Sequence, residues 1–204
     1  MIQLLFQNPA LFLLISVSLV ISISIHEFSH ALVANYLGDG TAKSMGRLTI
    51  NPKAHLDPVG TILLLFVGFG WGRPVPFNPL NLKNPKRDAA LISLAGPMSN
   101  LILAVVLSLL SKLFVVGGLM WIFLYFLVLY NLMLGFFNLI PLGPLDGNKI
   151  VFGFLPNRFA VQWIEFQKYS MYILIVMVAL GFTGKILGPL VDISIKILGF
   201  NLAL

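Results

Sequence analysis

The chain contains no cysteine. Disulfides and thiolate metal sites are therefore excluded, and a bound metal would have to use histidine, aspartate or glutamate. Charge is scarce as well. Only 10% of the 204 residues are charged while 58% are hydrophobic, whereas a soluble domain has about a quarter charged. A soluble unit of this length could not hide so much apolar surface, so the chain reads as an integral membrane protein in a lipid bilayer. Acidic residues number 7 against 13 basic ones. That surplus does not point to nucleic acid, because the basic residues fall between apolar runs, as they do in cytoplasmic loops of membrane proteins. There is no internal repeat or low-complexity linker. A basic n-region is also missing at the N-terminus, and a cleaved signal peptide is not expected.

No charged side chain occurs between Met1 and Ile25. The first one interrupts an apolar helix read at residues 9–36, within the pentapeptide His26-Glu27-Phe28-Ser29-His30. Ionisable groups inside a bilayer are costly and usually face a partner or a wet cavity. The spacing supplies a reason for the cost. At about 100° per residue, positions i and i+4 share one helical face, so His26 and His30 can aim two imidazoles at one metal ion. Glu27 then lies within reach of a water at that ion, as the general base of H-E-x-x-H zinc proteases. The alternative, a chance match of a short pattern, weakens in an apolar helix, where an unpaired glutamate has no structural purpose.

Gly38-Asp39-Gly40 closes this first span. Residues 42–50 read as a short strand, and His55 lies between the turn signals Asn51-Pro52 and Asp57-Pro58. His55 is read either as a surface loop residue or as a neighbour of the metal. The apolar run 59–71 has about 13 residues, short for a span that needs about 20 and closer to a re-entrant or buried segment. Gly68, Gly70 and Gly72 fray its end. Pro74, Pro76 and Pro79 keep 73–79 extended. A second span is read at 89–111 and a third at 119–140, separated by the turn Gly117-Gly118. Asn100 is read as glue between helices or as a substrate contact. The third span runs into Pro141-Leu142-Gly143-Pro144-Leu145-Asp146-Gly147. Broken backbone at membrane depth is tolerated only where it is buried in protein or lines a cavity, and Asp146 emerges from this break as the natural third metal ligand, the alternative being an ordinary Asp-Gly turn. Residues 153–168 read as an interfacial connection, 169–183 or slightly beyond as a fourth span, and the tail to Leu204 as a membrane-surface helix.

Topology adds a test. If 59–71 crossed the bilayer, His26 and Asp146 would approach opposite faces. If it is re-entrant, they meet at one face, and the loops carrying Lys43, Arg47, Lys53, Arg73, Lys83, Lys86, Arg87, Lys149, Arg158 and Lys168 fall there too. The positive-inside rule makes that face cytoplasmic. The expected fold class is an all-α polytopic membrane protein of about four spanning helices, plus a re-entrant segment flanked by short extended strands. Residues 1–204 are expected to form a single domain, with a core at 9–147 and additional membrane segments at 148–204.

Four patterns together resemble the site-2 protease family of intramembrane zinc metalloproteases, in its short prokaryotic branch. They are His26-Glu27-x-x-His30, Gly46-Arg47-Leu48-Thr49-Ile50-Asn51-Pro52, Ala95-Gly96-Pro97-x-x-Asn100 and Asn138-x-x-Pro141-x-x-Pro144-Leu145-Asp146-Gly147. A PDZ or CBS domain is not expected. The resemblance implies Zn2+ held by His26, His30 and Asp146, Glu27 as catalytic base, and Asn138 helping to bind substrate or stabilise the oxyanion. It implies a membrane-protein substrate, often already trimmed by another protease, cut in or near a transmembrane segment in the cell membrane of a prokaryote. Edge pairing of the unwound substrate with 43–50 and 73–79 is the expected mode of capture. The competing class, a metal-binding transporter or scaffold, should spread polar residues over several spans, whereas here the ionisable ones cluster at one end. Oligomeric state is not legible.

Overall fold

The computed structural model describes residues 2–67, 70–114 and 117–200; Gly68, expected to fray the run after Val59, lies outside them. Helices follow in the order α1 (Ile2–Gln7), α2 (Pro9–Tyr36), α3 (Thr41–Ser44), α4 (Pro58–Val67), α5 (Pro85–Leu113), α6 (Gly118–Asn138), α7 (Asp146–Phe154), α8 (Ala160–Ala179) and α9 (Phe182–Leu198). Local chemistry sets the boundaries. Asn8 Oδ1 accepts from the Leu11 amide at 3.0 Å with Pro9 at the first helical position, which starts α2 afresh after α1. Gly38, at φ 107°, carries the chain out of α2. Asp88 reaches back from the first turn of α5 to accept from the Asn84 amide at 2.8 Å.

Helices α2, α5 and α6 are long and apolar enough to cross a membrane, and α8 with α9, bent by 73° at their junction, forms a fourth candidate. The protein is a multi-pass membrane protein. The ten residues of α4 rise only about 15 Å, half the thickness of a hydrocarbon core.

The three long helices meet along stripes of every fourth residue. On α2 the stripe is Ser18, Ser22, His26, His30 and Ala34; on α5 it includes Ile92, Gly96, Asn100, Ala104 and Ser108; on α6 it includes Leu127, Asn131 and Gly135. Most of these side chains are small, so the backbones approach closely. The larger apolar core lies toward the far end of the bundle, where Ala104, Val128 and Leu132 pack with Val191, Ile195 and Phe200. The face of α9 that carries Val191 and Ile195 is thus buried in the bundle, which corrects the expected membrane-surface tail.

The expected extended strands are corrected. Among the described residues no strand occurs, and the one bridge is an isolated antiparallel pair, Leu56–Gly72. Residues 41–44 wind into α3 because Asp39 Oδ1 accepts from both the amide and the hydroxyl of Thr41. In 73–79, Pro74, Pro76 and Pro79 have no amide hydrogen to give a ladder. Three of the amides that remain are engaged elsewhere: Arg73 donates to the His55 carbonyl, Val75 to Glu27 and Asn78 to Asp39. Neither 43–50 nor 73–79 therefore forms a regular strand.

Candidate metal centre

One stripe of α2 delivers both imidazoles. The Nε2 atoms of His26 and His30 lie 3.0 Å apart, and Asp146 Oδ2 is 3.1 Å from the first and 3.2 Å from the second. Asp146 arrives from the break between α6 and α7. Pro141 and Pro144 end regular winding there, Gly143 adopts φ 56°, and the chain doubles back against the end of α6. A β-carbon on Gly147 would collide with the carbonyls of Leu139 and Ile140, so the residue after Asp146 has to be glycine.

The outward ring nitrogens are also held. His26 Nδ1 is 2.7 Å from Asn100 Oδ1, and His30 Nδ1 is 2.7 Å from the Ile92 carbonyl. Both partners can only accept, so each Nδ1 carries the proton and each Nε2 presents a lone pair. Two lone pairs and a carboxylate oxygen then converge within 3.2 Å, with all three residues buried. Such a concentration of acceptors is unfavourable alone and fits a cation between them. A tetrahedral zinc ion, with bonds of about 2.0–2.2 Å, sets its ligand atoms roughly 3.3–3.6 Å apart, close to the spacings found.

Glu27 is half-buried beside the cluster, and its Oε2 accepts from the Val75 amide at 3.1 Å. The segment bearing Val75 is anchored to the same end of the bundle: Arg47 Nη2 donates to the Arg73 carbonyl at 2.5 Å, and the Arg73 amide donates to the His55 carbonyl at 2.7 Å.

Of the residues singled out from sequence, His26, His30 and Asp146 come together and Glu27 adjoins them. Asn138 ends α6 with its amide donating to the Leu134 carbonyl at 3.0 Å, within its own helix. His55 is neither on the surface nor in the cluster. It is fully buried, and its Nε2 donates to the Thr49 carbonyl at 2.6 Å. Asn100 proves to be glue between helices that also holds a cluster histidine. The sequence marks Gly96 within the Ala95-Gly96-Pro97 pattern but not what it touches, and it does not mark the Val75 amide. Gly96 lies against both imidazoles: a β-carbon there would overlap Nε2 and Cε1 of His30 and sit 2.7 Å from Cε1 of His26. The backbone amide of Val75 has no side-chain signature at all, although its place between two prolines marks it as a lone donor.

Residues 14–117 and 114–182 match the model of Peptidase family M50. The candidate zinc metalloprotease YwhC of Bacillus subtilis (strain 168) is 38% identical over 185 residues, covering 86% of this chain and 84% of that protein. The candidate zinc metalloprotease Rip2 of Mycolicibacterium smegmatis is 32% identical over 143 residues, 67% of this chain and 55% of its own length. Zinc metalloprotease MJ0392 of Methanocaldococcus jannaschii is 29% identical over 152 residues, 74% of this chain and 37% of its own length. No solved structure matches.

Proposed function

The chain belongs to peptidase family M50 and is a zinc metalloprotease of the membrane, and from that premise we propose that it hydrolyses peptide bonds in or near the transmembrane segments of other membrane proteins. His26, His30 and Asp146 hold the zinc and Glu27 is the catalytic base. The observation that carries the reading is the convergence of three acceptor atoms at 3.0–3.2 Å below the end of α2, with a carboxylate from the adjoining residue alongside.

Zinc in that position supplies Lewis-acid polarisation of the scissile carbonyl and of the attacking water. Glu27 accepts the proton of that water and returns it to the leaving amine. The Val75 amide steadies the Glu27 carboxylate while it does so. Asn138, once released from Leu134, offers its amide to the developing oxyanion. A substrate helix must first unwind, because its carbonyls are otherwise held in helical hydrogen bonds. The cluster lies at the end of the bundle that carries the basic loops, and the positive-inside rule makes that end cytoplasmic.

Glu27→Gln decides the matter, because it removes the base while sparing the proposed zinc-holding side chains. The variant should retain zinc, and turnover should fall by roughly 10²–10⁴. Comparing membrane proteomes of cells carrying the wild-type chain or Glu27→Gln should then reveal an accumulated single-span fragment. Unchanged fragment levels in a variant that is present and zinc-loaded would sink the reading. The same assay on Asn138→Ala tests the oxyanion role, where zinc content should stay and turnover should fall.

A further inference from the structure

We propose that Asn131, on α6, is a positioning residue for the metal centre: together with the Ser22 carbonyl it fixes which end of the Asn100 amide faces His26, and so which nitrogen of His26 points into the cluster. The inference rests on the zinc-holding role given above to His26.

His26 can serve a metal through Nε2 only while its proton sits on Nδ1. Asn100 enforces that state by presenting its oxygen, at 2.7 Å. An amide turned end for end would present its NH2 group to Nδ1 and favour the opposite tautomer, with the proton directed at His30 and Asp146. The orientation of Asn100 therefore matters as much as its presence, and the hydrogen bonds around it determine that orientation. Asn100 Nδ2 donates to the Ser22 carbonyl at 3.0 Å and to Asn131 Oδ1 at 2.7 Å. Asn131 Nδ2 donates to the Leu127 carbonyl at 2.7 Å and to Ser22 Oγ at 2.8 Å, and that hydroxyl donates to the Ser18 carbonyl at 2.8 Å.

The chain of assignments starts at groups that cannot turn. The Leu127 carbonyl only accepts, so the nitrogen end of Asn131 faces it and the oxygen end faces Asn100. Asn131 Oδ1 and the Ser22 carbonyl then both require the nitrogen end of Asn100. What remains for His26 is the oxygen. Ser18, Ser22, Asn100 and Asn131 are each 0% exposed, so no water compensates a flipped amide. Within α6, an otherwise apolar span, Asn131 thus has a definite task. It also ties the third span to the two spans that meet at the cluster.

The test uses the full chain in detergent micelles, with zinc affinity measured by chelator competition and the visible absorption of Co2+ as a report on ligand geometry. Asn131→Leu keeps the branched shape and removes the hydrogen bonds. Its zinc affinity should fall severalfold, short of the roughly 10–100-fold for losing the outer partner of a ligating histidine itself, and the Co2+ spectrum should shift. Leu132→Ala, a packing loss at the neighbouring buried position, should lower thermal stability while leaving zinc affinity and spectrum as in the wild type. In the double variant with Asn100→Leu, the zinc loss should equal that of Asn100→Leu alone, because Asn131 acts through Asn100. If Asn131→Leu does not accumulate, Asn131→Ser is read in the same way. Wild-type zinc affinity and Co2+ spectrum in the Asn131 variant would overturn the inference while leaving the zinc site intact, and so would additive losses in the double variant. A wild-type chain that binds zinc no better than His26→Ala would overturn the site itself.

Discussion

Gly96 sits in the middle of α5 with backbone angles any residue could adopt, so only its missing side chain explains it. Both imidazoles occupy the space its β-carbon would need. Gly96→Ala should gain a few tenths of a kcal/mol to about 1 kcal/mol of helix propensity and still lose net stability, because overpacking a close contact costs about 1–3 kcal/mol. Isothermal titration should show weaker zinc binding, and thermal melts a lower midpoint. Asp39 allows a different residue-level test. Burial works against its ionisation, but hydrogen bonds from Thr41, Asn81 and Asn78 outweigh that and hold the carboxyl below its ordinary value. A depressed folded value means that the stabilisation is complete above the unfolded value of about 3.9 and is lost as pH falls through the lower folded one. Asp39→Asn should cost about 1–3 kcal/mol near neutrality, since its amide would face the Asn78 amide donor to donor. The gap to wild type should narrow in acid as the wild type protonates Asp39 and loses the charge that the variant never carries, which unfolding melts across that range would follow. At this scale the sequence was readable wherever chemistry requires a charged or titratable side chain inside an apolar run, as with Glu27 and Asp146. Gly96 and Asn131 were not, because a glycine or an uncharged amide in a span looks the same whether it merely packs or orients a ligand.

The elements divide in the same way. The bounds of the first span could be read at 9–36, where Asn8-Pro9 opens the helix and Gly38 closes it. The loops could not, because their conformation is decided by partners distant in sequence: Glu27 and Asp39 on one side, the lone amides of 73–79 on the other. The break that delivers Asp146 was legible as a break from Pro141 and Pro144, but not what braces it. Ser170 Oγ accepts from the Gly143 amide at 3.0 Å, Gln167 Nε2 donates to the Pro141 carbonyl at 3.2 Å, and Trp163 Nε1 donates to Asn148 Oδ1 at 3.0 Å. All three belong to α8, a helix most of whose side chains are exposed. The placement of α8 and the position of Asp146 are therefore linked. Ser170→Ala removes the acceptor for Gly143. A hydrogen bond contributes about 1 kcal/mol net, so local opening should become roughly fivefold easier. Hydrogen exchange should speed up by that factor at the Gly143 amide and stay unchanged at the Val128 amide in the bundle interior.

For the molecule as a whole, the decisive quantity is which ends of the helices lie together. His26, His30 and Asp146 can converge only if α2 and α6 bring their C-terminal ends to the same side, with α5 running the other way between them. The ties between loops agree. Asp39 binds the amide of Asn78 and the side chain of Asn81, and Lys86 Nζ donates to the Leu155 carbonyl and to Asn157 Oδ1. The segments after α2, before α5 and after α7 are thus gathered at one end. A crossing by α4 is incompatible with this arrangement. It would put Lys53 and Lys83 on opposite sides, although residues close to each of them are tied to one another through Asp39 and Arg47. Because the chain has no cysteine, single introduced thiols can map the arrangement without background. Lys53→Cys and Lys83→Cys should react with a membrane-impermeant maleimide under the same condition. If the basic end is cytoplasmic, that condition is permeabilised cells, and Gly117→Cys at the far turn should react in intact ones. Labelling of positions 53 and 83 from opposite sides would separate Asp146 from the two histidines and dismantle the centre together with the topology.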